Sequence, residues 1–275
     1  MTTTTTIRPC GDAALLLECA DLAAAVGCAE QITKARLGAV DVVAAARTVL
    51  VTAREPGDLP RLRRAVAALL EHIQSQARAQ AQSPAAGGAA AERGQARVVT
   101  LDVRYDGPDL ADVAELAGVS VEEFVRRHTA VTWKAAFGGF APGFFYLVDA
   151  RELEGTGGAE VGAAPEAGAA AGADRMPTVP RLGSPRPKVP AGSVAMADRF
   201  CAVYPGASPG GWRLLGTTDA QLWDTDRERP ALLEPGVIVR FRGIGAGGGA
   251  DAAGGSGDGS GSGGVGELGG AGGVT

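Results

Sequence analysis

The chain has 275 residues, 45% of them hydrophobic and 21% charged, with a formal net charge of −5. That length allows one or two domains, and the apolar share is enough to bury a sizeable core. The basic surplus or basic face of a protein that wraps nucleic acid is missing, as is any uncharged apolar run long enough to span a bilayer.

The chain opens on Met1 and a run of threonines, with neither the basic nor the apolar region of a secretory signal. Cys10, Cys19, Cys28 and Cys201 show no short CxxC spacing of a zinc or redox site. The expectation is a cytoplasmic protein with reduced thiols. Residues 7–19 read as a strand, with Ala13, Ala14, Leu15, Leu16 and Leu17 following the turn pair Gly11-Asp12. Asp21 is a good N-cap for a helix over 22–37, because its short carboxylate can accept from a free amide of the first turn. Gly38 offers the stop. Two short runs rich in β-branched residues, 40–45 and 48–53, suit a hairpin. Asp58 can cap a second helix whose Leu59, Leu62, Val66, Leu69, Leu70 and Ile73 share a face. The pattern fades over 77–94, and 98–105 returns as an alternating strand. The order β-α-β-β-α-β predicts an α+β fold of the ferredoxin-like, split βαβ kind.

Two short helices follow. Pro108 suits a first turn, and Ser120 with Glu123 makes a capping box for a helix ending near His128. From Val131 onward helical spacing disappears. Short apolar runs at 131–137, 189–197, 202–204, 212–218, 222–223 and 237–241 alternate with Gly/Pro turns, which predicts a β-barrel or sandwich. Residues 150–174 are Ala/Gly/Glu-rich without periodicity and read as an exposed, mobile insertion. Residues beyond 243 form a Gly/Ser-rich tail with the composition of a flexible coil.

Three segments carry candidate chemistry. Residues 138–147 combine glycines that allow close backbone approach with Pro142 and the flat walls of Phe140, Phe144 and Tyr146. Such a loop can line an anion pocket with amides, or it can be a packed aromatic closure of the barrel. Residues 180–193 hold Arg181, Arg186 and Lys188 on a proline-stiffened chain. Guanidinium groups held that way suit a carboxylate or phosphate; the plain alternative is a solvated basic edge. Ser208, Pro209, Gly210, Gly211 and Trp212 form a tight turn anchored by an aromatic ring. Only His72 and His128 are histidines. His72 reads as a surface or helix-end residue; the helix-terminal place of His128 by itself favours structure, yet it is the one plausible imidazole acid or base. No carboxylate spacing marks a metal site, and no phosphate-loop, dinucleotide or nucleophile-elbow motif occurs.

Taken in order, these strings resemble the 5-oxoprolinase B-component family, also known as the KipI or allophanate-hydrolase-subunit-1-like family. The matching pieces are Gly11 to Leu15, Tyr105 to Leu110, Gly139 to Phe144, Pro180-Arg181 with Pro185-Arg186, and Val189 to Val194. Tyr204-Pro205, Ser208 to Trp212 and Leu233 to Gly236 complete them. The resemblance implies a ferredoxin-like domain over 7–95 and a cyclophilin-like β-barrel over 96–243, with 150–174 inserted and 244–275 as tail. It implies ATP-driven opening of 5-oxo-L-proline to L-glutamate. ATP would be a substrate of a complex in which the 5-oxoprolinase C-component is the direct partner and the A-component completes the enzyme. The substrate or anion site would draw on Gly139, Phe140, Pro142, Gly143, Phe144, Tyr146, Arg181, Arg186, Lys188, Gly192, Ser193, Gly210, Gly211 and Trp212, with His128 as catalytic group and no metal. The same family includes an inhibitor of a sensor histidine kinase, and related domains serve urea and allophanate metabolism; both are alternatives. Phe145 stands where the family's loop commonly has proline.

Overall fold

The computed structural model describes residues 5–81, 96–153 and 176–245. Most of the expected insertion, the tail beyond residue 245 and the segment 82–94 lie outside the described residues.

The first strand expected from sequence is a hairpin. Strand β1 (Thr6–Cys10) folds back on β2 (Ala14–Glu18), with Cys10 opposite Ala14 and a turn at Gly11 between them. Helix α1 (Leu22–Ala35) starts where expected, because Asp21 accepts from the Ala24 amide at 2.8 Å. It ends at Arg36 in a left-handed conformation, two residues before Gly38. Strands β3 (Ala39–Ala44) and β4 (Thr48–Ala53) pair as the expected hairpin, and α2 runs from Leu59 to Ala81. The sheet order is β1-β2-β4-β3, antiparallel throughout. Alternation puts Leu15, Leu17, Val49 and Val51 on one buried face. Ala25, Ala29 and Ile32 of α1 and Leu62, Val66 and Leu70 of α2 cover that face.

One assignment changes. The strand at β5 (Val98–Val103) is not the last strand of this sheet; it pairs in parallel with β13 (Ile238–Gly243). In the split βαβ order the last strand would lie beside β2, and β1 holds that place. Alternation identifies a strand but not its neighbour, so periodicity could not separate the two solutions.

The rest of the chain forms a seven-stranded sheet. Its further strands are β6 (Trp133–Gly138), β7 (Phe145–Asp149), β9 (Ser193–Ala197), β10 (Phe200–Val203) and β12 (Arg213–Thr217). The order is β12-β9-β10-β7-β6-β13-β5. Arg104 and Thr217 exchange two backbone hydrogen bonds, at 2.9 and 2.8 Å, and so bring the outer strands β5 and β12 together. The sheet is thereby a nearly closed barrel. A separate two-stranded ribbon joins β8 (Arg186–Val189) to β11 (Ser208–Gly210). The apolar run read over 189–197 is therefore broken by the turn at 190–192, and 222–223 contributes only an isolated bridge, Trp223 to Ala231. Helices α3 (Leu110–Leu116) and α4 (Val121–Ala130) pack Leu110, Val113 and Phe124 into the barrel core beside Trp133, Leu147, Met196 and Phe241. Leu22 and Val26 of α1 meet Ala136, Phe137 and Val148 of the barrel, joining the two sheets through an apolar seam. No helix among the described residues is long and apolar enough to cross a membrane.

Candidate functional site

A cleft of about 320 Å³ opens where three segments of the barrel converge. That is the lower end of the roughly 300–1,000 Å³ typical of small-molecule sites. Asp106, Gly107 and Pro108 form one wall, Arg186, Lys188 and Pro190 another, and Ser193, Leu214, Gly216 and Thr217 complete it. Glycine is what lets the first wall lie so close. A Cβ on Gly107 would run into the Leu214 carbonyl, and one on Gly216 into the Arg104 carbonyl. The bare backbones instead hydrogen-bond, Gly107 N–H to Leu215 O and Asp109 N–H to Leu214 O, each at 3.1 Å.

Asp109 ties the walls together. It precedes α3 as an N-cap residue, yet its carboxylate does not cap the helix. One oxygen accepts from the Leu214 amide at 2.7 Å and the other from Arg186 at 2.7 Å. A second guanidinium nitrogen of Arg186 donates to the Trp212 carbonyl at 3.4 Å. The stiff, proline-bounded β8 thus presents an arginine whose orientation is fixed by a buried carboxylate. Lys188, two residues along the same strand, is exposed and makes no ion pair among the described residues.

Ser193 is buried; its hydroxyl donates to the Pro190 carbonyl at 2.8 Å, so it shapes the turn rather than offering a free hydroxyl. Gly192 takes a φ of 77°, and its amide donates to the Tyr204 carbonyl at 2.8 Å. A Cβ there would collide with the Thr218 carbonyl, so this turn admits only glycine.

The aromatic loop lies elsewhere. Phe144 is buried and meets the rings of Tyr204 and Trp212 edge-on at 5.4 and 5.6 Å, while Tyr146 stacks on Phe137 at 4.5 Å. Arg181 sits over Trp212 at 5.8 Å, in cation–π range. The amides of Gly139, Ala141 and Phe144 are bonded within the loop, so they are not spare donors for an anion. Gly143 backs onto Trp223 and Leu222, and Phe140 projects outward with a φ of 71°. Gly139 to Tyr146, Pro142 included, therefore close the barrel around an aromatic cluster and do not line the cleft. Gly210 belongs to the ribbon, where it pairs with Arg186; Gly211 follows it, and its carbonyl accepts from the Leu182 amide at 2.8 Å. Of the residues expected at one site, Arg186, Lys188 and Ser193 line the cleft, while Arg181 and Trp212 stand on its aromatic flank.

His128 is fully buried in the barrel core. Its Nδ1 meets the Tyr105 hydroxyl at 2.8 Å, its Nε2 the Cys201 thiol at 3.5 Å, and the rings of Phe124, Trp133 and Phe241 surround it. Burial holds its pKa down at about 3, so the ring is neutral and both nitrogens are occupied. The same burial pushes the Tyr105 hydroxyl and the Cys201 thiol up, keeping all three uncharged. A general acid or base needs a route to a solute, which this position lacks; its place at the end of a helix already favoured a structural role, and it stood as a candidate only because the chain has so few histidines. His72 is exposed on α2, hydrogen-bonded to Gln76. Sequence reading passed over Asp106, Asp109, Leu214 and Thr217 as site residues. The string Tyr105 to Leu110 was visible, but its acidic residues gave no spacing to mark them.

The family model described as "Carboxyltransferase domain, subdomain C and D" matches residues 5–153 and 159–233. Among curated proteins, the one named as the B-component of 5-oxoprolinase in Escherichia coli O157:H7 is 39% identical over 150 residues, 54% of this chain and 58% of that protein. The protein of the same name from Bacillus subtilis (strain 168) is 36% identical over 148 residues, 53% of this chain and 52% of that protein. The alignments thus span only somewhat over half the length of these relatives. Among solved structures, TTHA0988 superposes with a TM-score of 0.57 at 31% identity, over 87% of this chain and 40% of that one. The urea carboxylase of Kluyveromyces lactis superposes with a TM-score of 0.57 at 15% identity, over 87% of this chain and 22% of that one, a likeness of fold.

Proposed function

The chain belongs to the family of the carboxyltransferase domain, subdomain C and D, and on that premise we propose that it is one component of an ATP-dependent 5-oxoprolinase. The observation that carries this reading is its 39% identity to a curated protein named as the B-component of that enzyme. The reaction opens the lactam of 5-oxo-L-proline to L-glutamate. A lactam carbonyl is a poor electrophile, and phosphorylation of its oxygen by ATP would turn that oxygen into a leaving group. The part assigned to this chain is to hold the small anionic substrate in the barrel cleft, with Lys188 as the cation that meets it and Arg186, fixed by Asp109, shaping the wall. ATP is a substrate of the assembled enzyme, and the A- and C-components complete it; this chain alone is inactive. The names ferredoxin-like for the first sheet and cyclophilin-like for the barrel, and a cytoplasmic location, belong to the same reading.

The test is co-expression with the A- and C-components, followed by 5-oxoproline-dependent ATP hydrolysis and glutamate release. Activity is expected only when all three proteins are present. Equal turnover from the other two without this chain would refute the assignment.

A further inference from the structure

We propose that Asp106 and Lys188 together set the ligand specificity of the cleft, Lys188 taking a carboxylate and Asp106 accepting a ring N–H. This rests on the reading of the chain as a 5-oxoprolinase component, and it gives Asp106, which the sequence reading passed over as a site residue, a role beside Lys188.

Arg186 lines the cleft but is already committed to Asp109 and to the Trp212 carbonyl. Lys188 carries no ion pair among the described residues, so it is the cation on this wall able to take a new partner. Asp106 stands on the other wall. Its hydrogen-bond partner is the Thr217 hydroxyl, at 3.2 and 3.5 Å from its two oxygens. An ionised carboxylate has about four lone-pair sites, so acceptor capacity remains. The nearby cation Arg104 does not neutralise it by contact, because both of its terminal nitrogens are held by Asp219 at 2.9 and 2.8 Å.

The cleft therefore offers one open positive and one open negative group, with Pro108, Pro190 and Leu214 adding apolar lining. A bare phosphate would be drawn to Lys188 and repelled by Asp106. A ligand that carries both a carboxylate and an N–H donor satisfies both. 5-Oxo-L-proline does so on neighbouring atoms, its carboxylate standing on the carbon next to the ring nitrogen, with methylenes left for the prolines.

The experiment compares two ligands of one shape by calorimetric titration of the full chain. One is 5-oxo-L-proline; the other is its lactone counterpart, 5-oxotetrahydrofuran-2-carboxylate, in which a ring oxygen replaces the N–H. A hydrogen bond to a charged group corresponds to roughly 10-fold or more in affinity, so the wild type should prefer the lactam by about that factor. Asp106→Ala should bring the two ligands to within about twofold of each other, and Asp106→Asn, which keeps a neutral acceptor, should restore part of the preference. Lys188→Ala should weaken both ligands alike. The proposal is overturned if the wild type binds neither ligand or does not discriminate, if Asp106→Ala keeps the wild-type preference, or if Lys188→Ala changes nothing. An assembled enzyme that turns over 5-oxoproline while Asp106→Ala still discriminates would overturn this assignment alone and leave the function standing.

Discussion

Two aspartate–arginine pairs in the barrel have nearly the same contact and opposite surroundings. At the cleft wall Asp109 meets Arg186 at 2.7 Å, with side-chain exposures of 6% and 28%. On the outside of the β5–β13 pair, Asp102 meets Arg242 at 2.6 Å with exposures of 44% and 67%. The outer contact is shorter and doubly bonded, and Arg242 holds the Asp102 carboxyl below its ordinary value. Distance alone would rank the two as equals. Burial separates them, because what counts is the group left behind when one partner is lost. An abandoned Asp102 is met by water, whereas removing Asp109 strands a guanidinium and the buried Leu214 amide.

The largest expected effect follows from that. Asp109→Ala should destabilise the full chain by about 3–5 kcal/mol, the usual cost of breaking a buried pair. Urea unfolding at neutral pH measures it. The double variant Asp109→Ala with Arg186→Met should lose less than the sum of the two single changes, since the second removes the stranded charge. A loss at Asp109 no larger than at Arg242 would break the comparison outright.

The same contrast explains what could be read from the chain. Local signals translated directly: Asp21 and Ser120 cap their helices, and Leu15, Leu17, Val49 and Val51 alternate into one face. Pairings distant in sequence did not. Strand β5 finds its partner 140 residues away, Asp102 to Arg242, and nothing in its alternation says so. The site was half legible for the same reason. Proline stiffness marked the segment of Arg186 and Lys188, but the carboxylates that give those cations their roles, Asp106 and Asp109, come from before the helices α3 and α4. His128 shows the opposite error: its chemistry was visible and its burial was not.

The next effect in size concerns that histidine. Its folded-state pKa, about 3, lies below the ordinary 6.5 because burial penalises the charged ring. Between those values the unfolded chain takes up a proton that the folded chain refuses. The contribution is therefore fully present above about pH 6.5 and is lost progressively as the pH falls toward 3. At pH 5 this one group should lower stability by about 2 kcal/mol relative to neutral pH. His128→Gln, which can still bond the Tyr105 hydroxyl, should flatten that part of the pH profile whatever it does to stability at pH 7. In the assembled enzyme its turnover should fall only as far as the folded fraction falls. A rate loss in fully folded His128→Gln would return the residue to the chemistry.

The smallest effect is the control on which the comparison depends. Arg242→Ala removes two short bonds to Asp102, but both side chains are well exposed and the ion pair competes with water and salt. Exposed pairs of this kind contribute little to stability, and raising the salt concentration should shrink the difference further. Ligand binding in the cleft should not change, since neither Arg242 nor Asp102 lines it. Urea unfolding at low and high salt, beside titration of 5-oxo-L-proline, checks both statements. A loss as large as that of Asp109→Ala, or one indifferent to salt, would mean that the β5–β13 pairing leans on this contact and that burial is not what distinguishes the two sites.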